Sequence, residues 1–328
     1  MFEIELEIAK EAVIEGMRIC RTIQQELTGG ESITKSDKSP VTIADFASQA
    51  IVCEILNRSF PDIPIVGEES SDALKEPEHR DVLNKIFHYI ENDTAISRLV
   101  NRENLFSCID LGNREANDKI FWTLDPIDGT KGFLRGEQFA VALALIVEGD
   151  VKVGLLGCPN LEREGKTSAE GYMLYAVKGG ETICMNVSDD TEESVSVSNL
   201  TRSQEMRFVE SYVSAHSNTD MQLQIARSLN MKREPIRMDS QVKYAVLAMG
   251  EAEIYLRIPH PKTPDYKEKI WDHAAGKLVV EVAGGKVTDV DGKPLDFTAG
   301  KTLKNNRGIA ASVPSVHGEI MGIVKRLS

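Results

Sequence analysis

The sequence predicts a layered α/β protein, with an N-terminal α+β half over residues 1–195 and a C-terminal α/β half over residues 196–328. Three observations carry that expectation. The chain opens with apolar residues at helical spacing, its middle holds paired apolar runs around glycine turns, and beyond Arg207 strand-like and helix-like segments alternate. At 328 residues there is enough chain for one large or two medium cores.

In chain order, Ile8, Ala12, Ile19 and Ile23 mark one face of a helix over residues 2–27, ending at Gly29-Gly30. The following ESITKSDKSP is polar and expected to be mobile. A second helix is expected from Thr42 to Phe60, closed by Pro61, and residues 63–66 form a strand that delivers GEESS. Residues 72–117 are charged, with a helical pattern around 82–90, and read as a lid or an inserted helical hairpin. Residues 120–124 form a strand, 139–156 two strands around Glu148-Gly149-Asp150, and 172–185 two more around Gly179-Gly180. The acidic, Ser-rich 188–199 reads as a junction. Beyond it, strands over 207–213 and 252–258 alternate with helices over 221–229, 242–249 and 274–282.

Composition narrows the function. Hydrophobic residues make up 41% and charged residues 27%, as in ordinary folded proteins. A net charge of -13 opposes a general nucleic-acid or membrane-surface binder, which needs a basic field. The five cysteines, Cys20, Cys53, Cys108, Cys158 and Cys184, are scattered and odd in number, which suits reduced thiols in the cytoplasm. The acidic start MFEIELEIAK has no signal-peptide pattern, and the longest apolar run, FAVALALIV, is too short to cross a bilayer.

The chemistry concentrates in FWTLDPIDGTKGF, where Asp125 and Asp128 end an apolar strand at a tight turn. Three other stretches also bring acid to the end of an element: Asp45 in VTIADFASQ, Glu68-Glu69 in IVGEES, and Asp272 in KIWDHAAG. Each has a local explanation. Thr42-x-x-Asp45 matches a capping box, Asp272 an N-cap, and Glu68-Glu69 a solvated loop pair. DPIDGT is harder to explain as a turn alone, since Asn or Ser would serve a turn as well as two acids. Taken together, oxygen ligands without a His or Cys cluster suit hard cations, Mg²⁺ above all. Two such ions would supply the positive field that the chain lacks and make a phosphate ligand compatible with its charge. Glu68 and Asp125 would bridge the ions, Thr130 beside Asp45 would position and deprotonate water, and N–H groups after Asp128 would cradle a phosphate oxygen.

GEES, DPIDGT followed by Phe133, and WDHAAG, in that order and spacing, resemble the lithium-sensitive, magnesium-dependent inositol monophosphatase superfamily. Within it, KSDKSPVTIADFASQ, DSQVKYAVLAMGEAEIYLRIP, KEKIWDHAAG and AGGKVTDVDGKPLDF resemble the 3'(2'),5'-bisphosphate nucleotidase branch. The likeness is weakest over residues 73–118. It implies a layered α/β/α/β/α sandwich of the inositol monophosphatase and fructose-bisphosphatase type. It also implies Asp45, Glu68, Asp125, Asp128, Asp272 and the Ile127 carbonyl as ligands for two or three Mg²⁺ ions, and Asp45 with Thr130 as the catalytic pair. Substrate contacts would fall to Gly129, Thr130, His216, Ser240, Lys243, Arg257 and Asp272.

The implied reaction removes the 3'-phosphate of adenosine 3',5'-bisphosphate (PAP), and of its sulfated relative PAPS, with lithium sensitivity; a cytoplasmic enzyme is expected, with a monomer favoured over an oligomer. The same pocket would suit inositol 1,4-bisphosphate in an inositol polyphosphate 1-phosphatase or a dual enzyme. Read singly, Lys243 fits a solvated helix face, Arg257 a solvent-facing strand position, and Trp271 a core wall. A haloacid-dehalogenase phosphatase is disfavoured because its acids are spaced D-x-D, and an EF-hand lacks its closing Glu. A non-catalytic sensor would have lost part of a ligand set that is complete here.

Overall fold

The computed structural model describes residues 2–26, 32–34, 40–212, 218–263 and 265–327. Its centre is a seven-stranded sheet in sequential order: β3 (Ile65–Gly67), β4 (Ile120–Asp128), β5 (Ala140–Val147), β6 (Asp150–Cys158), β7 (Tyr172–Val177), β8 (Thr182–Asn186) and β9 (Glu192–Val195). Only the β3–β4 pair is parallel; the rest are antiparallel. Two strands that precede it, β1 (Ser32–Thr34) and β2 (Pro40–Thr42), pair with each other. The turn between β5 and β6 puts Glu148 at φ 52 and Gly149 at φ 77, a left-handed pair that matches the twist of a two-residue hairpin.

Alternation along β5 shows how the sheet carries two layers. Val141, Leu143 and Leu145 face a core shared with α1 (Glu3–Glu26) and α2 (Ile43–Ser59). Ala140, Ala142 and Ala144 face a second core, shared with α7 (Val242–Ala248) and α8 (Ala274–Val282). The small side chains on that face let helix backbone come close. A Cβ at Gly154 would lie 3.0 Å from the carbonyl oxygen of Ala275. Beyond α7 and α8 comes a three-stranded antiparallel sheet, β12 (Ile254–Arg257), β14 (Ile309–Ser312) and β13 (Lys286–Thr288). Its far face, with Ile254, Leu256 and Ala310, is covered by α6 (Thr219–Ser228) and α9 (Pro314–Leu327). A short parallel pair, β10 (Val209–Glu210) and β11 (Ile236–Arg237), completes the described strands. The layers therefore run α/β/α/β/α, and among the described residues no helix is long and apolar enough to cross a membrane.

Several expectations need correction. The polar stretch after α1 is partly the β1–β2 pair, while residues 35–39 lie outside the described residues. Residues 72–117, expected as a lid or an inserted helical hairpin, hold two helices, α3 (Arg80–Asn92) and α4 (Leu105–Asp110). Leu74, Ile86, Ile90, Ile96, Val100 and Ile109 belong to the core under α2, so the segment is wall rather than lid. The supposed junction contains β9, the outer strand of the large sheet.

Candidate active site

The acidic residues reach one region from separate elements. α2 begins at Thr42, whose hydroxyl accepts from the Ala44 and Asp45 amides, while Asp45 Oδ2 accepts from Thr42 N at 2.7 Å and Thr42 Oγ1 at 2.6 Å. The local explanation is thus fully realised, and it also holds a carboxylate that is only 1% exposed in a fixed rotamer. One turn along α2, Gln49 clamps the loop after β3. Its Nε2 donates to the Glu69 carbonyl at 2.6 Å and its Oε1 accepts from the Glu69 amide at 2.9 Å. A Cβ at Gly67 would sit 2.7 Å from Gln49, so that glycine makes room for the clamp. Glu69 is buried, not solvated, and Glu68 beside it is half-buried.

β4 supplies the next pair. Its register on β5 shifts between Asp125, opposite Ala142, and Asp128, opposite Ala140, a bulge of one extra residue. Bulges re-aim side chains, and here the extra residue sets Asp125 and Asp128, three apart, opposite Ala142 and Ala140 on the same face of β5. Asp125 accepts from the Ile127 amide at 3.1 Å, and Thr130 Oγ1 donates to the Ile127 carbonyl at 3.4 Å. Gly129 then takes φ 92 and opens α5 (Thr130–Leu134).

The C-terminal half docks on this turn. The Gln241 amide donates to Asp128 Oδ2 at 2.6 Å, and a Cβ at Gly129 would lie 2.8 Å from Ser240 Cβ. Ser240 itself has φ 68, a left-handed backbone that a serine adopts only when its surroundings hold it there. Arg135 pairs with Asp239 across the same seam. Lys243 follows in α7 and is buried, contrary to a solvated face, with Nζ 3.4 Å from the Met238 carbonyl. Arg257, at the end of β12, is half-buried rather than solvent-facing. Its Nε lies 2.8 Å from Glu268 Oε2, off the ideal hydrogen-bond line, and one terminal nitrogen is 3.9 Å from Asp272 Oδ2. Asp272 is not the N-cap of α8; His273 occupies that position. Trp271 is buried in the second core. His216 lies outside the described residues.

Electrostatics identify the two poles. Burial, then the charges of Glu68, Asp128, Asp272 and Asp45, hold the Asp125 carboxyl well above the usual carboxylate range. Burial also raises Asp128, with Lys243 and Arg257 pulling it back. Asp272 is raised well above its ordinary value by burial, with Arg257 opposing and Asp128 and Glu68 adding to the rise. Lys243 is pushed down to about 8, first by burial, with Asp128 resisting. Such a ring of buried, mutually repelling oxygens is costly unless protonated or paired with cations, and its all-oxygen donors fit hard cations.

One distance runs against the expected set. Among the described residues, the only trio of possible ligands within 4.8 Å of one another is Glu268, Asp272 and His273. A cation there would meet the Arg257 guanidinium, and both His273 nitrogens already have partners, so this trio is read as a polar anchor. Among the described residues, no three of the expected carboxylates bring ligand oxygens within 4.8 Å of one another, which suits ions that also take water and substrate oxygens. Sequence reasoning missed Gln49, Gln241 and Glu268; of these, only Glu268, four residues before Asp272, carried a visible signal as an acid beside a motif.

A model of the inositol monophosphatase family matches residues 2–327. The chain is 39% identical over 335 residues to a Schizosaccharomyces pombe protein named 3'(2'),5'-bisphosphate nucleotidase, covering 98% of this chain and 94% of that one. It is 38% identical to a protein of the same name from Oryza sativa, covering 99% and 95%. Among solved structures, an inositol monophosphatase from Thermotoga maritima superposes with a TM-score of 0.67 at 19% identity, covering 100% of this chain and 98% of the other. The suppressor protein suhB from Bartonella henselae gives 0.68 at 18%, covering 99% of each. These two show the fold alone.

Proposed function

The chain belongs to the inositol monophosphatase family, and from that premise we propose that it is a 3'(2'),5'-bisphosphate nucleotidase. It would release the 3'-phosphate of PAP to give AMP, and act likewise on PAPS. The observation that carries this reading is the docking of the 239–243 segment on the DPIDGT turn. Through Gln241 on Asp128 and Ser240 against Gly129, the buried Lys243 comes beside an acidic site in a chain of net charge -13, where Arg257 from β12 also acts on Asp128.

Glu68, Asp125, Asp128, Asp272, Asp45 and the Ile127 carbonyl would hold the metal, which we take to be Mg²⁺. When bound, the ions supply positive charge at the phosphate and acidify a water. The protein's part is to orient and to move a proton. Asp45, held by its capping box, accepts the proton from water, and Thr130 orients that water from the turn. The Gly129 and Thr130 amides at the start of α5 receive a phosphate oxygen. Lys243 and Ser240 face the substrate from α7 and its approach, and Arg257 grips a phosphate through its planar donors. On this reading residues 1–195 supply most metal ligands, and residues 196–328 supply substrate contacts and Asp272.

The deciding experiment is phosphate release from PAP and from inositol 1,4-bisphosphate, in Mg²⁺ and then EDTA, for wild type and Asp125→Asn. Magnesium-dependent release from PAP, lost in the variant, is expected. Release from the inositol substrate alone would reassign Ser240, Lys243 and Arg257, and no release from either would overturn the enzymatic reading.

A further inference from the structure

Arg257 does not stand alone. Glu268 Oε2 lies 2.8 Å from its Nε, and the same oxygen lies 3.2 Å from His273 Nε2, while His273 Nδ1 lies 2.9 Å from the Tyr244 hydroxyl. An ionised carboxylate can only accept, so Nε2 carries a hydrogen; in a neutral imidazole Nδ1 then accepts from the Tyr244 hydroxyl. Burial alone would favour protonated Glu268, yet Arg257, and after it the hydrogen bond from His273, hold it below its usual range. Three of the four groups have rigid supports: Tyr244 lies on α7 next to Lys243, His273 stands at the start of α8, and Arg257 ends β12. Glu268 sits between β12 and α8, and the backbone at Glu268 and Ile270 is held too. The Leu303 amide donates to the Glu268 carbonyl at 2.8 Å, and the Ile270 amide to the Lys301 carbonyl at 3.2 Å.

We propose that Glu268 is a positioning residue that fixes the Arg257 guanidinium in the orientation from which it receives a substrate phosphate. The proposal rests on the reading of Arg257 as a phosphate contact. An arginine stem has many rotamers, and a carboxylate on its inner nitrogen removes most of them while one terminal nitrogen, 3.9 Å from Asp272 Oδ2, is held beside the acidic site. His273 and Tyr244 in turn fix Glu268. Their role is indirect, and the effect of each passes through that carboxylate.

The test is a double-mutant cycle with a spectroscopic arm. Glu268→Gln should raise KM for the turned-over substrate about tenfold while kcat changes far less, because a contact equal in ground and transition states is weakened. In an Arg257→Ala background the same change should move KM by less than about twofold. Factors that multiply in the double variant would overturn the proposal. Glu268→Asp, which keeps the charge but withdraws it by one methylene, should fall between, and serves if the glutamine variant does not fold. Independently of turnover, the Arg257 Nε–H NMR signal, assigned by its loss in Arg257→Lys, should shift and broaden in Glu268→Gln. An unchanged signal refutes the positioning role. If the wild type hydrolyses neither PAP nor inositol 1,4-bisphosphate, the proposed function falls, while the NMR arm still decides the place of Glu268.

Discussion

The acidic side of the site, apart from Asp272, and the cationic side come from different halves of the chain and reach stability by different routes. On the acidic side, Asp125 meets the charges of Glu68, Asp128, Asp272 and Asp45, all of which oppose its ionisation. On the cationic side, Arg257 has an internal partner in Glu268, and Lys243 is drawn toward neutrality, to about 8. The first side stores repulsion that Lys243 and Arg257 relieve only in part; the second is largely balanced before any ligand arrives. On the proposed function, that difference would give chemistry to the acids and affinity to the cations.

The sharpest way to break that assignment is Asp125→Asn. Activity on PAP should fall by about a thousandfold or more, a larger loss than changes next to metal ligands usually cause. Stability should move the other way: in EDTA the variant should resist thermal or urea unfolding by about 1–3 kcal/mol more than wild type, since a repelled buried charge is gone. A variant that loses both activity and metal-free stability would mean that the carboxylates are structural.

Next in size is the seam between the two sides. Gly129→Ala forces a side chain into φ 92 and to within 2.8 Å of Ser240. A shift there should cost about 1–3 kcal/mol and up to about a hundredfold in kcat/KM, readable by melting and steady-state kinetics. Unchanged kinetics would show that the seam does not align the two sides.

On the cationic side, Lys243→Met should raise KM about tenfold with a modest change in kcat. As pH climbs through about 8, wild-type Lys243 loses its charge, so KM should rise with pH in wild type and stay flatter in the variant. A parallel rise in both would assign the pH dependence to another group.

The smallest effect is in the pH dependence of metal-free stability. Asp125 binds its proton more tightly folded than at its ordinary 3.8, so the folded state holds more protons than the unfolded one above about pH 4, and stability contributed by that proton is lost as pH rises. The melting-temperature gap between Asp125→Asn and wild type in EDTA should therefore widen upward from about pH 4. A gap independent of pH would contradict the raised proton affinity.

Much of this was legible where a local rule and the global fold agree. Thr42 and Asp45 announce the start of α2, and Glu148-Gly149 announces the turn between β5 and β6. The α8 helix is found at residues 274–282, as its apolar spacing implies. The rest depends on partners distant in sequence. β13 and β14 are three and four residues long, too short for period two to register, and no element beyond residue 282 was expected. Residues 72–117 read as a lid or an inserted helical hairpin because of their charge, yet most of their apolar side chains turn inward. For the site, motif order located the carboxylates. No sequence pattern could show Gln49 reaching 20 residues to the Glu69 backbone, or Gln241 reaching 113 residues to Asp128.

The outer strands of the large sheet have a consequence of their own. β3 is three residues long, and Val66 bridges to Asn113 while the Arg114 amide donates to the Ile65 carbonyl, so its free margin is occupied. β9 is four residues long and carries Glu192 and Glu193, which pair with Lys10, Arg163 and Lys166. Short, charged margins give a stray strand no template to extend. A seven-stranded sheet with an apolar middle thus offers no open margin from which to seed its own aggregation.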